Sequence, residues 1–352
     1  MLKLRRGRVV SVNGNERVAK LSVELDGESG ARDAIAYPAL TGPVETGDEV
    51  VVNVEARDLG LGSGGFDIVH VNLTRGLSGE GAKDAHVMKL NYTPVQHAVD
   101  AIEEGMDDLD EGNTLPVAVL ALHGQLAPAA FAASHITPGV RVGYLQTAGG
   151  ALPGQLSDVV HELLRRELIC DHITVAPCYG GQHEAITVEG AIQAGAERLG
   201  WTGALIGPGP GILGTASALG HGGLEALHNA HSALSMGCRV ILAPRTSSGD
   251  PRDRHRGLSH HTVAVLERLI APVEVPRASG LTMSAREQLE LAAGRNPRHS
   301  QVDVGVDELL DRYRESALPG RTMGRSLDED GDFFRAALAA GALLANRMKE
   351  GR

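Results

Sequence analysis

LPVAVLALHGQ at positions 115–125 and VRVGYLQTAGG at positions 140–150 each contain a short apolar run that ends in glycine and polar residues. Four more such runs follow, and successive runs begin about 24 to 36 residues apart, the length of a strand–helix–strand unit. The six runs are 116–122, 140–146, 173–176, 204–206, 239–243 and 273–275. Strands that are apolar throughout are buried on both faces. We therefore predict an α/β fold with a doubly wound, mainly parallel sheet in a Rossmann-like domain at 115–280.

The segments on either side of this domain have different patterns. Short runs rich in Val and Leu at 8–12, 17–25, 48–54 and 67–73 predict a small β-rich module at 1–73, a barrel of the SH3 or OB kind. Within it, Asn13-Gly14 predicts a hairpin with a type I′ turn. The connector at 74–114 contains Thr93, Pro94 and Gln96, a capping pattern that predicts a helix to about residue 108. Residues 281–352 predict a helical tail that packs on the sheet or on a second subunit of a homo-oligomer.

Composition excludes several classes of protein. The 352 residues include 44 Asp+Glu and 33 Lys+Arg, and this net charge of −11 argues against nucleic acid or an anionic membrane as the main partner. Three cysteines are too few for a disulfide framework, and no apolar run is long enough for a membrane span or a signal peptide. We therefore expect a soluble, cytoplasmic protein.

The glycine and aromatic content indicates what kind of ligand to expect. The chain has 45 glycines and only 3% aromatic residues. Glycine lets a backbone approach another group closely, whereas few aromatic rings are present to stack on a base or a flat cofactor. A pocket formed by backbone and arginine around a small anion fits both observations.

Ligands of open α/β sheets bind beyond the carboxyl ends of the strands, so a site is expected in the loops there. The glycine-rich loops after the second and fourth strands supply six candidate ligand contacts: Gly149, Gly150, Gly209, Gly211, Gly214 and Thr215. Backbone N–H groups of such loops can converge on an anion at the start of a helix. The alternative is a tight turn without a ligand. The fourth loop is not a Walker A loop, since no Gly-Lys-Ser/Thr follows.

The loop after the fifth strand is the most unusual segment. Its arginines, which include Arg254 and Arg256, precede Ser259 at the expected start of a helix, where like charges repel one another unless an anion lies among them. This favours a phosphate or carboxylate site. One alternative is a surface loop paired with acidic faces of the protein. The other is a metal site formed by Asp250, Asp253, His255, His260 and His261.

Four residues are candidate acid–base groups: His123, His255, His260 and Glu184. His123 follows a buried strand and suits either a general base or a capped loop histidine. Glu184 stands beside His183, which suits either an acid–base pair or the exposed start of a predicted helix at 184–199.

At these loops the sequence resembles a Gram-positive bacterial family known as domain of unknown function 3866. The shared phrases are VMKLNYTPVQ (87–96), LHGQLAPA (122–129), GGALP (149–153), GPGILGT (209–215) and RHRGLSHHT (254–262). Ala148 and Gln182 stand where the family usually has aspartate. The resemblance implies no reaction, cofactor or partner.

Two functions are consistent with these patterns. The first is an enzyme that acts on a small anionic molecule, with Arg254, Arg256 and the 209–215 loop binding the anion and a histidine as acid or base. The second is a non-catalytic protein that senses a ligand in the α/β domain and binds a macromolecule through the N-terminal module. The sequence identifies no cofactor.

Overall fold

The computed structural model describes residues 1–61, 64–107, 114–215 and 217–350. The chain divides into two compact units, 1–99 and 100–352. Among the described residues, no helix has both the length and the apolar character that crossing a membrane requires. The three cysteines are free thiols.

The first unit is built on a closed five-stranded barrel. Its strands are β1 (Leu4–Gly14), β2 (Ala19–Leu25), β3 (Ala31–Ala36), β4 (Glu49–Asn53) and β5 (Asp67–Asn72), and one-turn helices α1 (Pro38–Thr41) and α2 (Glu55–Asp58) lie on either side of β4. The strand order is β1-β2-β3-β5-β4, with β3 and β5 parallel. Alternate side chains fill the interior, among them Val23, Val50 and Val52. The predicted barrel is confirmed, and its strand order is that of the OB kind.

The predicted hairpin between β1 and β2 is present, but its predicted type I′ turn is wrong. Gly14 pairs with Ala19, so that four residues, 15–18, link the strands. The Asn15 side chain accepts hydrogen bonds from the backbone N–H groups of Arg17 and Val18. These bonds stabilise the longer loop.

The helix predicted to begin at Thr93 is also wrong, because the chain forms a hairpin there. Its strands are β6 (Val87–Lys89) and β7 (His97–Val99). The expected capping groups build the turn instead: the Thr93 hydroxyl donates to Leu90 O at 2.6 Å, and Gln96 Oε1 accepts from the Tyr92 N–H at 3.0 Å. The predicted end of that helix, residue 108, lies outside the described residues.

The second unit contains the predicted parallel sheet. Strands β8 to β13 are Val117–Leu120, Val142–Thr147, His172–Val175, His183–Ala185, Gly203–Pro208 and Val240–Ala243. A small ribbon of β14 (Thr246–Ser247) and β15 (Gly257–Leu258) precedes β16 (Glu274–Ala278), β17 (Ser300–Val304) and a hairpin of β18 (Arg321–Thr322) and β19 (Arg325–Ser326). The described part of the sheet has eight strands in the order β11-β10-β9-β12-β8-β13-β16-β17. Residues predicted as a helical tail thus also supply β17.

Helices cover both faces of this sheet, as predicted. They are α3 (Leu126–Ile136), α4 (Asp158–Arg165), α5 (Val188–Glu197), α6 (Glu225–Ser235), α7 (His260–Leu266), α8 (Met283–Gly294), α9 (Asp307–Glu315) and α10 (Gly331–Glu350). Along β8, Val117 and Val119 face one core with residues of α5 and α6, while Ala118 and Leu120 face another with residues of α3 and α10. This alternation is the expected result of a strand buried on both sides.

One predicted helix boundary bears on the site. The helix predicted from Glu184 to residue 199 begins later, at Val188, where the Thr187 side chain accepts from the Gly190 N–H. Glu184 itself lies on β11, at the edge of the sheet. Its predicted place at a helix N-terminus is therefore wrong.

Candidate functional site

A cavity of about 780 Å³ lies at the carboxyl ends of the central strands. Its lining comes mainly from the loops that follow β8, β12 and β13 and from the β18–β19 hairpin, with Ala127 of α3 and Val159 of α4. β12 lies beside β8, and β13 lies on the other side of β8, so the three loops start from adjacent strands. The cavity is therefore where ligands of open α/β sheets bind.

The long loop after β13 is fixed at its base. Arg245, two residues past the strand, donates its backbone N–H to the Thr262 hydroxyl at 2.8 Å, and its carbonyl accepts from the Ser259 N–H at 2.9 Å. Ser259 also caps α7, and the β14–β15 ribbon joins the two arms of the loop. The loop is thereby folded over so that both of its ends border the cavity.

Five arginines line the cavity: Arg245, Arg252, Arg254, Arg321 and Arg325. Three of these arginines form ion pairs, all with two buried carboxylates, Asp250 and Asp330. Asp250 pairs with Arg252 at 2.8 Å, with Arg325 at 3.3 Å and with Arg245 at 3.8 Å, and Asp330 pairs with Arg325 at 2.8 Å. Arg254 and Arg321 form no ion pair with any described residue. No described acidic side chain lines the cavity, so its wall carries excess positive charge.

Arg245 is the buried member of this group. Its side chain is 3% exposed, its Nη1 donates to His261 Nδ1 at 3.0 Å, and its Nη2 contacts Met323 Sδ at 3.5 Å. Its Nε has no partner among the described residues. Burial and the charge of Arg252 lower its pKa to about 10, so the group is still charged at pH 7.

Four histidine rings of the lining contact one another beside Arg245. They are His221, His255, His260 and His261, and their ring centroids lie between 3.7 and 5.2 Å apart in the five contacting pairs. Burial and the charge of Arg245 lower the pKa of His255 to about 3 and that of His261 to about 2. Burial also lowers the pKa values of His221 and His260. All four rings are therefore neutral at pH 7.

Hydrogen bonds determine which ring nitrogens carry protons in two of these histidines. Arg245 can only donate, so His261 Nδ1 accepts and the proton of its neutral ring is on Nε2. The Ala218 carbonyl can only accept, so His221 donates from Nε2 at 3.1 Å and its Nδ1 keeps a lone pair. This Nδ1 and the Nε2 of His260 are buried and have no partner among the described residues.

His221, His260 and His261 also form a candidate metal cluster, since they offer ligand atoms within 4.8 Å of one another. The rings of His221 and His261, however, are stacked at 3.7 Å with an angle of 11° between their planes. An imidazole nitrogen binds a metal along its lone pair, which lies in the plane of the ring. Because these two ring planes are nearly parallel and 3.7 Å apart, their lone pairs do not converge on one ion close to both nitrogens. Arg245 also occupies His261 Nδ1. This arrangement therefore suits an anion better than a cation.

The five residues of the alternative metal site considered from the sequence do not form a single ligand set. The Asp250 carboxylate is engaged by three arginines. The Asp253 side chain is 97% exposed and lies 3.8 Å from Arg256. Two of the five, His260 and His261, do belong to the three-histidine candidate metal cluster, whose third member, His221, comes from the loop after β12.

His123 lines the cavity, but both of its ring nitrogens are used. Its Nδ1 donates to the Pro208 carbonyl at 3.1 Å, and its Nε2 therefore accepts from the Ser157 hydroxyl at 2.8 Å. Burial lowers its pKa to about 4. The ring thus joins the loop after β8 to β12 and α4, which is the structural alternative to a general base.

The candidate glycines fall into two groups. Gly211 and Gly214 line the cavity together with Thr215, while Gly149, Gly150 and Gly209 do not. A Cβ on Gly150 would overlap the Gly209 carbonyl oxygen, and one on Gly149 would lie 2.6 Å from the Gly222 carbonyl oxygen. Those glycines allow neighbouring loops to touch.

Three other candidates lie outside the cavity lining. Glu184 accepts from the Gly180 N–H at 2.6 Å and from the Thr174 hydroxyl at 2.8 Å. Ser259 is fully buried and lies 2.8 Å from His255 Nδ1. Arg256 is exposed and contacts the Asp250 carbonyl and the Asp253 carboxylate.

Sequence reasoning missed several lining residues: Arg245, His221, Arg321 and Arg325. Arg245 was visible in principle, because an arginine two residues past a buried strand is placed at the sheet's carboxyl edge. Arg321 and Arg325 belong to a hairpin far along the chain, and nothing in the local sequence places that hairpin at the cavity.

Comparison with known families places this chain in one of them. The model described as "Protein of unknown function (DUF3866)" matches residues 33–341. The match spans most of the chain, so the chain belongs to the DUF3866 family, as the resemblance implied. No curated protein and no solved structure matches the chain.

Proposed function

We propose that this DUF3866 family member is a cytoplasmic enzyme that acts on a small molecule bearing a phosphate or carboxylate group, bound at the carboxyl ends of β8, β12 and β13. The observation that carries the proposal is Arg245, a charged side chain 3% exposed in the cavity wall. Its one ion pair among the described residues spans 3.8 Å, and its Nε has no partner. A buried charge so poorly compensated is costly, and a bound anion would remove that cost.

The rest of the lining supports an anion rather than a cation. Five arginines line the cavity, and two of them, Arg254 and Arg321, form no ion pair with a described residue. Guanidinium groups bind phosphate and carboxylate through paired hydrogen bonds. Excess positive charge in a concave site also raises the local concentration of an anionic ligand.

His260 is the acid–base group that we propose. Its ring lines the cavity and is only partly buried, and its Nε2 has no partner among the described residues. His123 and His255 already have hydrogen-bonded ring nitrogens, and His221 is stacked on His261. A neutral imidazole with a free lone pair can accept a proton at pH 7. The cytoplasmic setting is supported by three free thiols.

The alternative is a protein that binds the anion without converting it. The OB-type barrel favours this reading, because such barrels often bind macromolecules. The net charge of −11 and the shortage of aromatic residues argue against nucleic acid as a partner, and they therefore favour the enzyme.

Binding is tested by calorimetric titration of the full chain with inorganic phosphate and with succinate. We expect Arg245→Gln to weaken binding about 10- to 100-fold, because a charge-assisted hydrogen bond to a buried anion is lost. Arg254→Gln should weaken binding about three- to tenfold, since Arg254 is exposed. Arg256→Gln is the matched control: it removes the same charge two residues away, outside the lining.

Turnover is then tested by following a panel of simple phosphate monoesters and carboxylates by NMR with wild type and His260→Gln. Turnover that His260→Gln removes, with phosphate binding intact, supports the enzyme. Binding without turnover of any compound favours the ligand-sensing alternative. If neither phosphate nor succinate binds, or if Arg256→Gln weakens binding as much as Arg254→Gln, the proposed site is wrong.

A further inference from the structure

Resting on the proposed function, the geometry points to a narrower class of ligand: we infer that the cavity binds an aliphatic phosphate or carboxylate, an anionic head group attached to an apolar chain. The first observation is size. The cavity of about 780 Å³ lies within the range of sites for drug-sized ligands, about 300–1,000 Å³, and a phosphate or carboxylate group alone fills a small part of it.

The second observation is an apolar section of the lining. Leu122 and Ala127 are buried members of the core on the α3 face of the sheet, and Val159 and Ile212 pack against that same core. The four side chains come from three separate segments, yet each belongs to one hydrophobic cluster. The cavity thus reaches the edge of the core, where apolar ligand atoms would leave water.

The charged section of the lining is contiguous, because Arg245, Arg252 and Arg325 all contact the Asp250 carboxylate. The four histidine rings and Arg245 contact one another in the charged section. A ligand that spans both sections carries its charge at one end only. Such a ligand is an amphiphile.

Two features of the lining argue against nucleotides and amino acids as the ligand. Within the described residues, no phenylalanine, tyrosine or tryptophan lines the cavity, so a nucleotide base would lack the large aromatic rings on which bases usually stack. No described carboxylate lines it either, so an amino group on the ligand has no counter-charge. Nucleotides and amino acids are therefore disfavoured relative to a plain aliphatic chain.

A homologous series tests this inference. Inorganic phosphate and methyl, propyl and pentyl phosphate are titrated into the full chain by calorimetry, with acetate, butyrate and hexanoate as the carboxylate arm. We expect affinity to rise about fourfold for each added methylene that is buried, in whichever arm carries the natural head group. The arm with the steeper rise identifies the head group.

A matched pair of variants locates the effect. Val159→Thr replaces one methyl group by a hydroxyl in the apolar section, and Val263→Thr makes the same change at a partly buried valine of α7 outside the lining. We expect Val159→Thr to weaken the binding of pentyl phosphate about threefold and to leave the binding of inorganic phosphate unchanged. Val263→Thr should leave the affinity for both compounds unchanged.

The outcomes separate this inference from the proposed function. If inorganic phosphate binds and Arg254→Gln weakens it, but affinity does not change with chain length in either arm, the aliphatic chain is wrong and the anion site stands. Equal weakening of inorganic and pentyl phosphate by Val159→Thr would also overturn the inference. If no compound of either series binds, the anion site itself is wrong.

Discussion

Two glycine-rich regions lie at the carboxyl edge of the sheet, and they differ in what their glycines meet. In the closed region, residues 148–157 and 176–184, a Cβ on Gly150 would overlap the Gly209 carbonyl and one on Gly180 would overlap the Gln155 side chain. In the open region, residues 209–215 and 244–261, the two glycines that line the cavity, Gly211 and Gly214, have no neighbour closer than 3.6 Å to such a Cβ, although the other glycines of that region pack on protein atoms. One region is filled by the protein itself, and the other borders a cavity.

The two regions also differ in how their acidic residue is used. Glu184 in the closed region accepts hydrogen bonds from two neutral donors. Asp250 in the open region is fully buried among three arginines and does not balance all of the charge around it. A glycine in these loops therefore indicates that two segments of the protein approach closely, whereas arginine charge that no carboxylate balances indicates a bound anion.

The largest effect is expected from Asp250→Asn. This change leaves Arg245 and Arg325, both mostly buried, without their shared carboxylate, and breaking such a pair costs about 3 kcal/mol in the free energy of unfolding. Urea unfolding measures the loss.

The same variant tests whether the open region binds anions. Inorganic phosphate should raise the melting temperature of Asp250→Asn more than that of wild type, because it can replace the missing negative charge. An equal shift in both proteins would mean that phosphate does not bind near Asp250.

A pair of glycine substitutions tests the contrast in packing. Gly150→Ala should lower the free energy of unfolding by about 1–3 kcal/mol, since the added methyl group meets backbone that cannot move away freely. Gly214→Ala is the control in the open region, where the methyl would touch only His221 Cβ at 3.6 Å. Urea unfolding of both should show a much smaller loss for Gly214→Ala; equal losses would contradict the distinction.

Most of the sheet could be predicted from the sequence, because strands buried on both faces are apolar throughout and recur at the spacing of crossover units. The predictions were wrong where residues that match a local sequence motif form other hydrogen bonds in the structure. Thr93 and Gln96 form a capping pattern, but with Leu90 and Tyr92 at positive φ their side chains close a turn instead. β17, with the sequence SQVDV, is an edge strand whose alternation of polar and apolar residues is short.

The candidate site was only partly predictable. Arg254, His255 and His260 stand in one short segment, so their unusual composition was visible locally. The cavity is also lined by His221 and Arg321, which come from other loops. Residues that are brought together from distant parts of the chain form no pattern within one short stretch of sequence. The glycines misled in part, since Gly149 and Gly150 are needed for contact between loops.

The next prediction concerns His123, which lines the cavity. Both of its ring nitrogens are nevertheless hydrogen-bonded within the protein, as the polar groups of the closed region are. Its folded-state pKa of about 4 lies below the ordinary value of about 6.5, so between these values only the unfolded chain takes up a proton there. Its contribution to stability is therefore complete above pH 6.5 and is lost as the pH falls. From pH 7 to pH 5 the loss is about 2 kcal/mol.

His123→Gln removes this proton uptake, so its free energy of unfolding should fall less between pH 7 and pH 5 than that of wild type. Urea unfolding at both pH values measures the difference. The same fall in both proteins would mean that the His123 ring takes up its proton in the folded state, as a general base open to the cavity would.

The smallest effect is expected from Glu184→Gln, the counterpart of Asp250→Asn in the closed region. The amide keeps one accepting oxygen but turns an NH₂ group toward the second donor, so about one hydrogen bond is lost, about 1 kcal/mol in the free energy of unfolding. Phosphate affinity should be unchanged, because Glu184 does not line the cavity. Calorimetry that shows phosphate binding altered severalfold by Glu184→Gln would mean that the two regions form one site.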